Sequence, residues 1–286
     1  MTTRVLVPFD NSDQAEYALE HAVAEFESAT IVLEHVIEPF TDYTGGAGYD
    51  TTRYKQQLEN TEELIETVRA EYDDSDRIES VVHYGRPVHR ILQTIDEEDI
   101  DQVFIGSHGR DGAARLLLGS VAETVARRSP VPVTVVRQPT DNHEHPDRVL
   151  VPFEGSETSE HALSFAFEQY DETTTTALYV AYPADDEESD LQDVFDTLEN
   201  WETERTDHVE SILSTATEVA KEHDRTVETD SVDGTPARAV VEYAEDHDID
   251  RIILGSTGRD GLTRLLLGSV AETVVRRSPV SVTVVK

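Results

Sequence analysis

Three glycines and a hydroxyl recur at fixed spacing in this chain: Gly106, Gly109, Gly119 and Ser120, then Gly255, Gly258, Gly268 and Ser269. Each set follows a short apolar run and leads into a helix-like stretch. Glycine at such a corner admits positive φ and lets another group approach the backbone closely. The N–H groups that open a helix attract an anion. The chemistry suggested is a phosphate cradle, with Ser120 and Ser269 adding hydroxyl donors and Arg110 and Arg259 able to contact the phosphates. No lysine follows the last glycine, so this is not a P-loop, and the glycine spacing is not the dinucleotide fingerprint. The same glycines also suit tight turns and close packing with no ligand at all, and the residue pattern leaves both readings open.

The motif lies in a longer repeat. Residues 106–136 return as residues 255–285 with 26 of 31 positions identical. A repeat this close marks a tandem duplication. We expect one domain over residues 1–137, a polar linker over 138–147 bounded by prolines, and a second domain over 148–286. In the first half, strand-like runs at Val5–Phe9, Ile31–Val36, Ile78–Tyr84, Val103–Ile105 and Val131–Val136 alternate with helical patterns. Ser12 offers a helix N-cap, and Pro87 suits the first turn of a later helix. The second half repeats the order, with Ser156 as N-cap, Pro236 as helix opener and a long helical region over Leu191–Lys221. Short apolar strands alternating with helices imply an α/β fold with parallel sheets covered on both faces. In such a sheet, ligands bind beyond the carboxyl ends of the strands.

Composition narrows the partners. Asp and Glu number 60 against 23 Lys and Arg, for a formal net charge of −37 over 286 residues. The acid is spread along the chain while apolar periodicity persists between the acids. This reads as a folded protein with an acidic surface adapted to a high-salt cytoplasm, that is, a halophilic one. At about 1 M salt the Debye length is only ~3 Å, so self-repulsion is screened. A basic footprint for nucleic acid is missing. No apolar run reaches the ~18 residues of a membrane span, and the N-terminal residues lack the pattern of a secretion signal. With no cysteine, disulfides, thiolate metal sites and cysteine nucleophiles are excluded. We therefore expect a cytoplasmic protein with no membrane or nucleic-acid partner.

The pattern G-x2-G-x9-G-(S/T) after a fourth strand resembles the ATP-binding signature of the universal stress protein family, and it fits twice without a gap. The first-strand ending ValProPheAspAsnSer (residues 7–12) and the terminal SerProValProValThrValVal (residues 129–136) are also similar to that family. The resemblance implies two tandem, open, parallel five-stranded sheets of order 3-2-1-4-5, Rossmann-like and of the HUP type, with helices on both faces. It implies that an acidic residue closing the first strand contacts a ribose, here Asp10 and Glu154. The residue ending the second strand lies against the adenine, here Val36 and Val180, with Pro8 and Pro152 lining the base. The glycine motifs take the phosphates. The ligand implied is ATP, or AMP or ADP, with any Mg²⁺ bound through the phosphates and not by a dedicated protein site. Glu154 departs from the expected aspartate and makes the second site the weaker of the two. The fifth strands are expected to pair within the chain, leaving open a homodimer of whole chains.

No poised catalytic set is apparent. There is no GxSxG elbow and no HExxH, and no water-positioning residue with metal-holding carboxylates flanks the cradle. His108 is Thr257 in the second copy, which argues for a variable motif position. His143 and His145 in the linker lack partners at ligand spacing. Arg127, Arg128, Arg276 and Arg277 suit the negative end of a helix dipole. The expectation is a binding and regulatory stress-response protein, at most a weak ATPase. The alternatives are a slow nucleotide hydrolase using Asp10 and His108, or an interaction module whose glycines are only structural.

Overall fold

The structure is a computed structural model that describes residues 2–38, 51–72, 75–109, 118–137, 145–181, 194–256 and 267–286, without the side chains of 51–54, 75 and 194–205. Arg110, Gly258, Arg259, His143 and the side chain of Trp201 lie outside the described residues, as does most of the linker. The chain divides into two compact units, Met1–His145 and Pro146–Lys286.

In the first unit the order is β1 (Arg4–Pro8), α1 (Asp13–Glu25), β2 (Thr30–Ile37), α2 (Thr51–Arg69), a single 3₁₀ turn at Ser75–Arg77, β3 (Ile78–Tyr84), α3 (Pro87–Glu97), β4 (Gln102–Gly106), α4 (Ser120–Arg128) and β5 (Val133–Val136). Neighbouring strands run in the order β3-β2-β1-β4-β5, and every pairing among them is parallel. Strand alternation sorts the core. Val5, Val7, Phe9, Ile31 and Leu33 join Ala15, Ala18 and Leu19 of α1 and Ile65 and Val68 of α2 in one cluster. The alternate residues Leu6, Val32 and Glu34 turn to the opposite face, where α3 meets β2 and α4 packs on α3. Both faces are therefore covered, as a buried parallel sheet requires.

The second unit repeats this with β6 (Arg148–Pro152), α5 (Glu157–Gln169), β7 (Thr174–Ala181), α6 (Val194–Glu222), β8 (Glu228–Asp233), α7 (Pro236–Asp246), β9 (Arg251–Gly255), α8 (Ser269–Arg277) and β10 (Ser281–Val285). Its strands run β8-β7-β6-β9-β10, again all parallel. Each unit is thus an α/β fold built on parallel strands covered by helices.

Local chemistry explains the element ends. Ser12 accepts the Ala15 N–H and caps α1. Ser156 caps α5 in a reciprocal box with Ser159. Pro87 and Pro236 open α3 and α7, where a missing N–H costs nothing. β5 begins two residues later than the apolar run suggests. Pro132 has no N–H to give a ladder, and the Ser129 hydroxyl takes the Val131 N–H at 3.1 Å.

Candidate nucleotide site at the strand carboxyl ends

Asp10 lies just past the carboxyl end of β1, whose neighbours β2 and β4 are reached by chain crossing in opposite directions. This is the topological switch point of each unit. Asn11 takes the left-handed conformation, φ 62°, which turns the chain sharply into α1. Asp10 Oδ1 then accepts the Ser12 N–H at 3.1 Å and the Ser12 hydroxyl at 2.5 Å. The other carboxylate oxygen faces the glycine motif. A methyl group built on Gly109 would stand 2.5 Å from Asp10 Oδ2, so only glycine leaves this carboxylate its place. Two sequence-predicted site residues from distant parts of the chain are thereby brought together.

The other glycines do different work. A Cβ on Gly106 would fall 2.7 Å from the backbone carbonyl of Gln14, and one on Gly255 would fall 2.7 Å from that of Thr158. These first glycines of the motif let the strand end touch the first turn of α1 and of α5. Gly119 donates its N–H to Ser107 O at 2.7 Å, and Gly268 does the same to Ser256 O at 2.8 Å. The motif loop is thus closed at its base in both units. Gly119 and Gly268 are the N-caps of α4 and α8 and give no side-chain cap bond. The first-turn N–H groups receive no side-chain acceptor from these caps, and Ser120 and Ser269 are exposed beside them.

One expectation is corrected. Positive φ was expected of the motif glycines. Among the described residues the glycines with positive φ are Gly85, Gly155 and Gly234, none of them in the motif. Gly106, Gly109 and Gly255 are required by close approach, and Gly119 and Gly268 sit in extended backbone at the helix caps.

The residues expected to flank a base lie on neighbouring strands. Pro8 is the register partner of Glu34 on β2, and Pro152 that of Leu178 on β7. Val36 and Val180 lie two residues further toward the carboxyl ends and are half-buried, like both prolines. Strand alternation puts Pro8, Glu34 and Val36 on one face.

In the second unit Gly155, φ 75°, replaces Asn11 at the turn. Glu154 accepts the Ser156 hydroxyl. The Ser156 N–H goes instead to Ser159 Oγ at 3.0 Å, so the longer acid is held differently from Asp10.

Ser107, Thr158, Arg137, Lys286 and Glu34 were not found by sequence reasoning. Ser107 is buried; its hydroxyl donates to Gln14 Oε1 at 3.1 Å and lies 3.2 Å from His108 Nδ1. Thr158 stands where Gln14 does in the first unit. Arg137 and Lys286 follow the last strand of each unit, and burial lowers both, the lysine to about 8. Glu34 is buried in β2, its carboxyl raised to about 7 by burial, against the opposing effects of the Thr94 hydrogen bond and Arg90. A lone acid inside the apolar run Ile31–Val36 was its signal, sharpened by Leu178 at the matching position.

Among the described residues no three His, Asp or Glu side chains gather as a metal site, and no helix is long and apolar enough to cross a membrane.

Comparison with known proteins is consistent in both halves. The model of the universal stress protein family matches residues 1–137 and again 146–286. The chain is 31% identical over 156 residues to a universal stress protein of Methanocaldococcus jannaschii, covering 48% of this chain and 96% of that protein. It is 27% identical to a universal stress protein of Mycolicibacterium smegmatis, over 99% of this chain and 96% of that one. Among solved structures it is similar to a universal stress protein from Archaeoglobus fulgidus, with a TM-score of 0.67 and 25% identity over 99% of this chain and 96% of that chain. With the family model matched in each half and the strand-end geometry repeated in each unit, the chain belongs to the universal stress protein family as a tandem, two-domain member.

Proposed function

We propose that this protein binds ATP, or a related adenine nucleotide such as AMP or ADP, at the carboxyl ends of β1, β2 and β4. Nucleotide occupancy would make it a regulatory or sensor protein of the stress response in a high-salt cytoplasm. The observation that carries the reading is the convergence of Asp10 and Gly109, at 2.5 Å between Oδ2 and a notional Cβ. It brings an acid past the first strand against the glycine motif, as a ribose contact beside a phosphate cradle would need. Asp10 contacts the ribose, and Pro8 and Val36 flank the base. Gly109, Gly119, Ser120 and Arg110 hold the phosphates at the start of α4, where the helix dipole favours negative charge. Gly106 seats the loop. The corresponding set in the second unit is Pro152, Glu154, Val180, Gly255, Gly258, Arg259, Gly268 and Ser269, with weaker affinity expected because Glu154 is held differently. Mg²⁺ arrives with the nucleotide and binds through its phosphates.

The close packing of Gly106 and Gly255 against α1 and α5 favours one other reading, a nucleotide-free interaction module in which the glycines are only structural. Calorimetric titration of ATP into the protein at molar salt separates the two. Binding that Gly109→Val removes supports the nucleotide site, and an absence of heat with ATP, ADP and AMP supports the module. A slow hydrolase would release phosphate at a rate that falls in Asp10→Ala and His108→Thr.

We also propose that residues 138–147 form the linker between the domains, and that β5 and β10, each outermost in its unit's order, pair within the chain. A hydrodynamic mass equal to one chain in high salt is the expected result, and twice that mass would indicate a homodimer.

A further inference from the structure

Glu34 is the one acid of β2's buried run, and its side chain is fully shielded from solvent. Oε1 accepts the Thr94 hydroxyl of α3 at 3.0 Å. Oε2 has no hydrogen-bond partner. A buried polar atom left unpaired is uncommon and calls for an explanation. The groups facing this carboxyl come from two elements. His83 of β3 places Nε2 at 3.9 Å from Oε1, beyond hydrogen-bond reach. Arg90 of α3 acts on it through charge, while its Nε and Nη1 donate to Tyr84 O and Gln93 Oε1. β1 brings Pro8 to the paired position, and α1 and α2 cover the opposite face. Among the described residues the nearest ion-pair partner of the carboxylate is His83 Nε2, at 3.9 Å.

Such a group is tolerable when neutral and costly when ionised. Ionisation does not reach the α1–α2 core. It acts between β2 and α3, on the face that Glu34 shares with Pro8 and Val36. The second unit lacks the arrangement, since Leu178 stands at the matching register position and Tyr243 at the place of Thr94.

We infer that Glu34 is a proton-operated switch beneath the first unit's strand-end site: the neutral acid keeps α3 docked on β2, and its ionisation loosens that contact. The device is built into one unit only. Its effect on ligand rests on the nucleotide reading above; the loosening of α3 does not.

The closing experiment is amide hydrogen exchange on the ligand-free full chain at fixed molar salt, from about pH 5 to about pH 8, expressed as protection factors so that intrinsic exchange is removed. Protection of Pro87–Glu97 is expected to fall several-fold across that range while that of Pro236–Asp246 stays constant. Glu34→Gln, which keeps the shape without the charge, should hold α3 protection level at every pH. Glu34→Leu, which copies the second unit, should do the same, so the test survives if one variant folds poorly. Parallel change in α3 and α7, or a pH response kept in Glu34→Gln, would overturn the switch. ATP titrations on the same samples should show several-fold weaker binding at the higher pH in the wild type only. ATP failing to bind at any pH would sink the nucleotide reading while the exchange result still decides the switch.

Discussion

The two units agree where the chain turns from strand to helix and disagree beneath it. A Cβ on Gly106 or on Gly255 would fall 2.7 Å from a helix backbone, and Gly119 and Gly268 each close the motif loop on a serine carbonyl. Under that common rim, Asp10 corresponds to Glu154, Asn11 to Gly155 and Glu34 to Leu178. The duplicated loop has therefore stayed fixed while its supports diverged. A loop can be copied without being used, so the supports decide whether two sites behave alike. On that reasoning the proposed nucleotide site of the first unit should be the stronger and the one sensitive to pH, and that of the second unit the weaker.

The largest expected effect concerns what the units share. Low salt should disrupt both, because a net charge of −37 loses its screening as the Debye length grows from about 3 Å at 1 M salt to about 10 Å at 0.1 M. Far-UV circular dichroism should show loss of structure on dilution of salt. An unchanged spectrum would remove the halophilic reading. Next, Gly106→Ala and Gly255→Ala should each destabilise their own unit by roughly 1–3 kcal/mol, since backbone must shift to admit the methyl group. Differential unfolding that left either variant unaffected would contradict the close approach.

Glu34 separates the units by pH. Its folded value is raised from 4.5 to about 7. Below 4.5 both folded and unfolded chains hold the proton. Between the two values only the folded chain does, so the first unit's stability falls as pH rises through this window and stays level above it. Glu34→Leu should remove that loss. The Thr94 hydroxyl then gives up its acceptor, so the net gain near pH 8 is about 1–2 kcal/mol. Thermal unfolding across pH checks this, and a variant no more stable than wild type at that pH would refute it. The smallest contrast is at the caps. Ser12→Ala and Ser156→Ala should each cost about 1 kcal/mol, and each also removes a hydroxyl from the neighbouring acid, Asp10 or Glu154, of which only Asp10 keeps a backbone N–H from the cap residue.

Much of the scaffold was legible because it rests on local rules. Ser12 and Ser156 cap helices, Pro87 and Pro236 open them, and apolar alternation marks the strands. What periodicity could not give was strand order, which came from the resemblance of residues 7–12, 106–120 and 129–136 to the family. The site was legible in its residues but not in their reasons. Gly109 reads in sequence as a corner glycine that admits positive φ or a phosphate, whereas its neighbour is the Asp10 carboxylate just past β1, and no local rule connects positions so far apart. Glu34 escaped for a similar cause. An acid in an apolar strand has meaning only when the face it takes and the helix that covers it are known.

Equilibrium binding of ATP to the full chain in molar salt, followed by native mass spectrometry for stoichiometry, tests the central claim most directly. Tight occupancy of one site that Asp10→Ala abolishes, and a weaker second site that Glu154→Ala abolishes, is the expected result. No bound nucleotide in the wild type, or occupancy indifferent to Asp10→Ala, would contradict it.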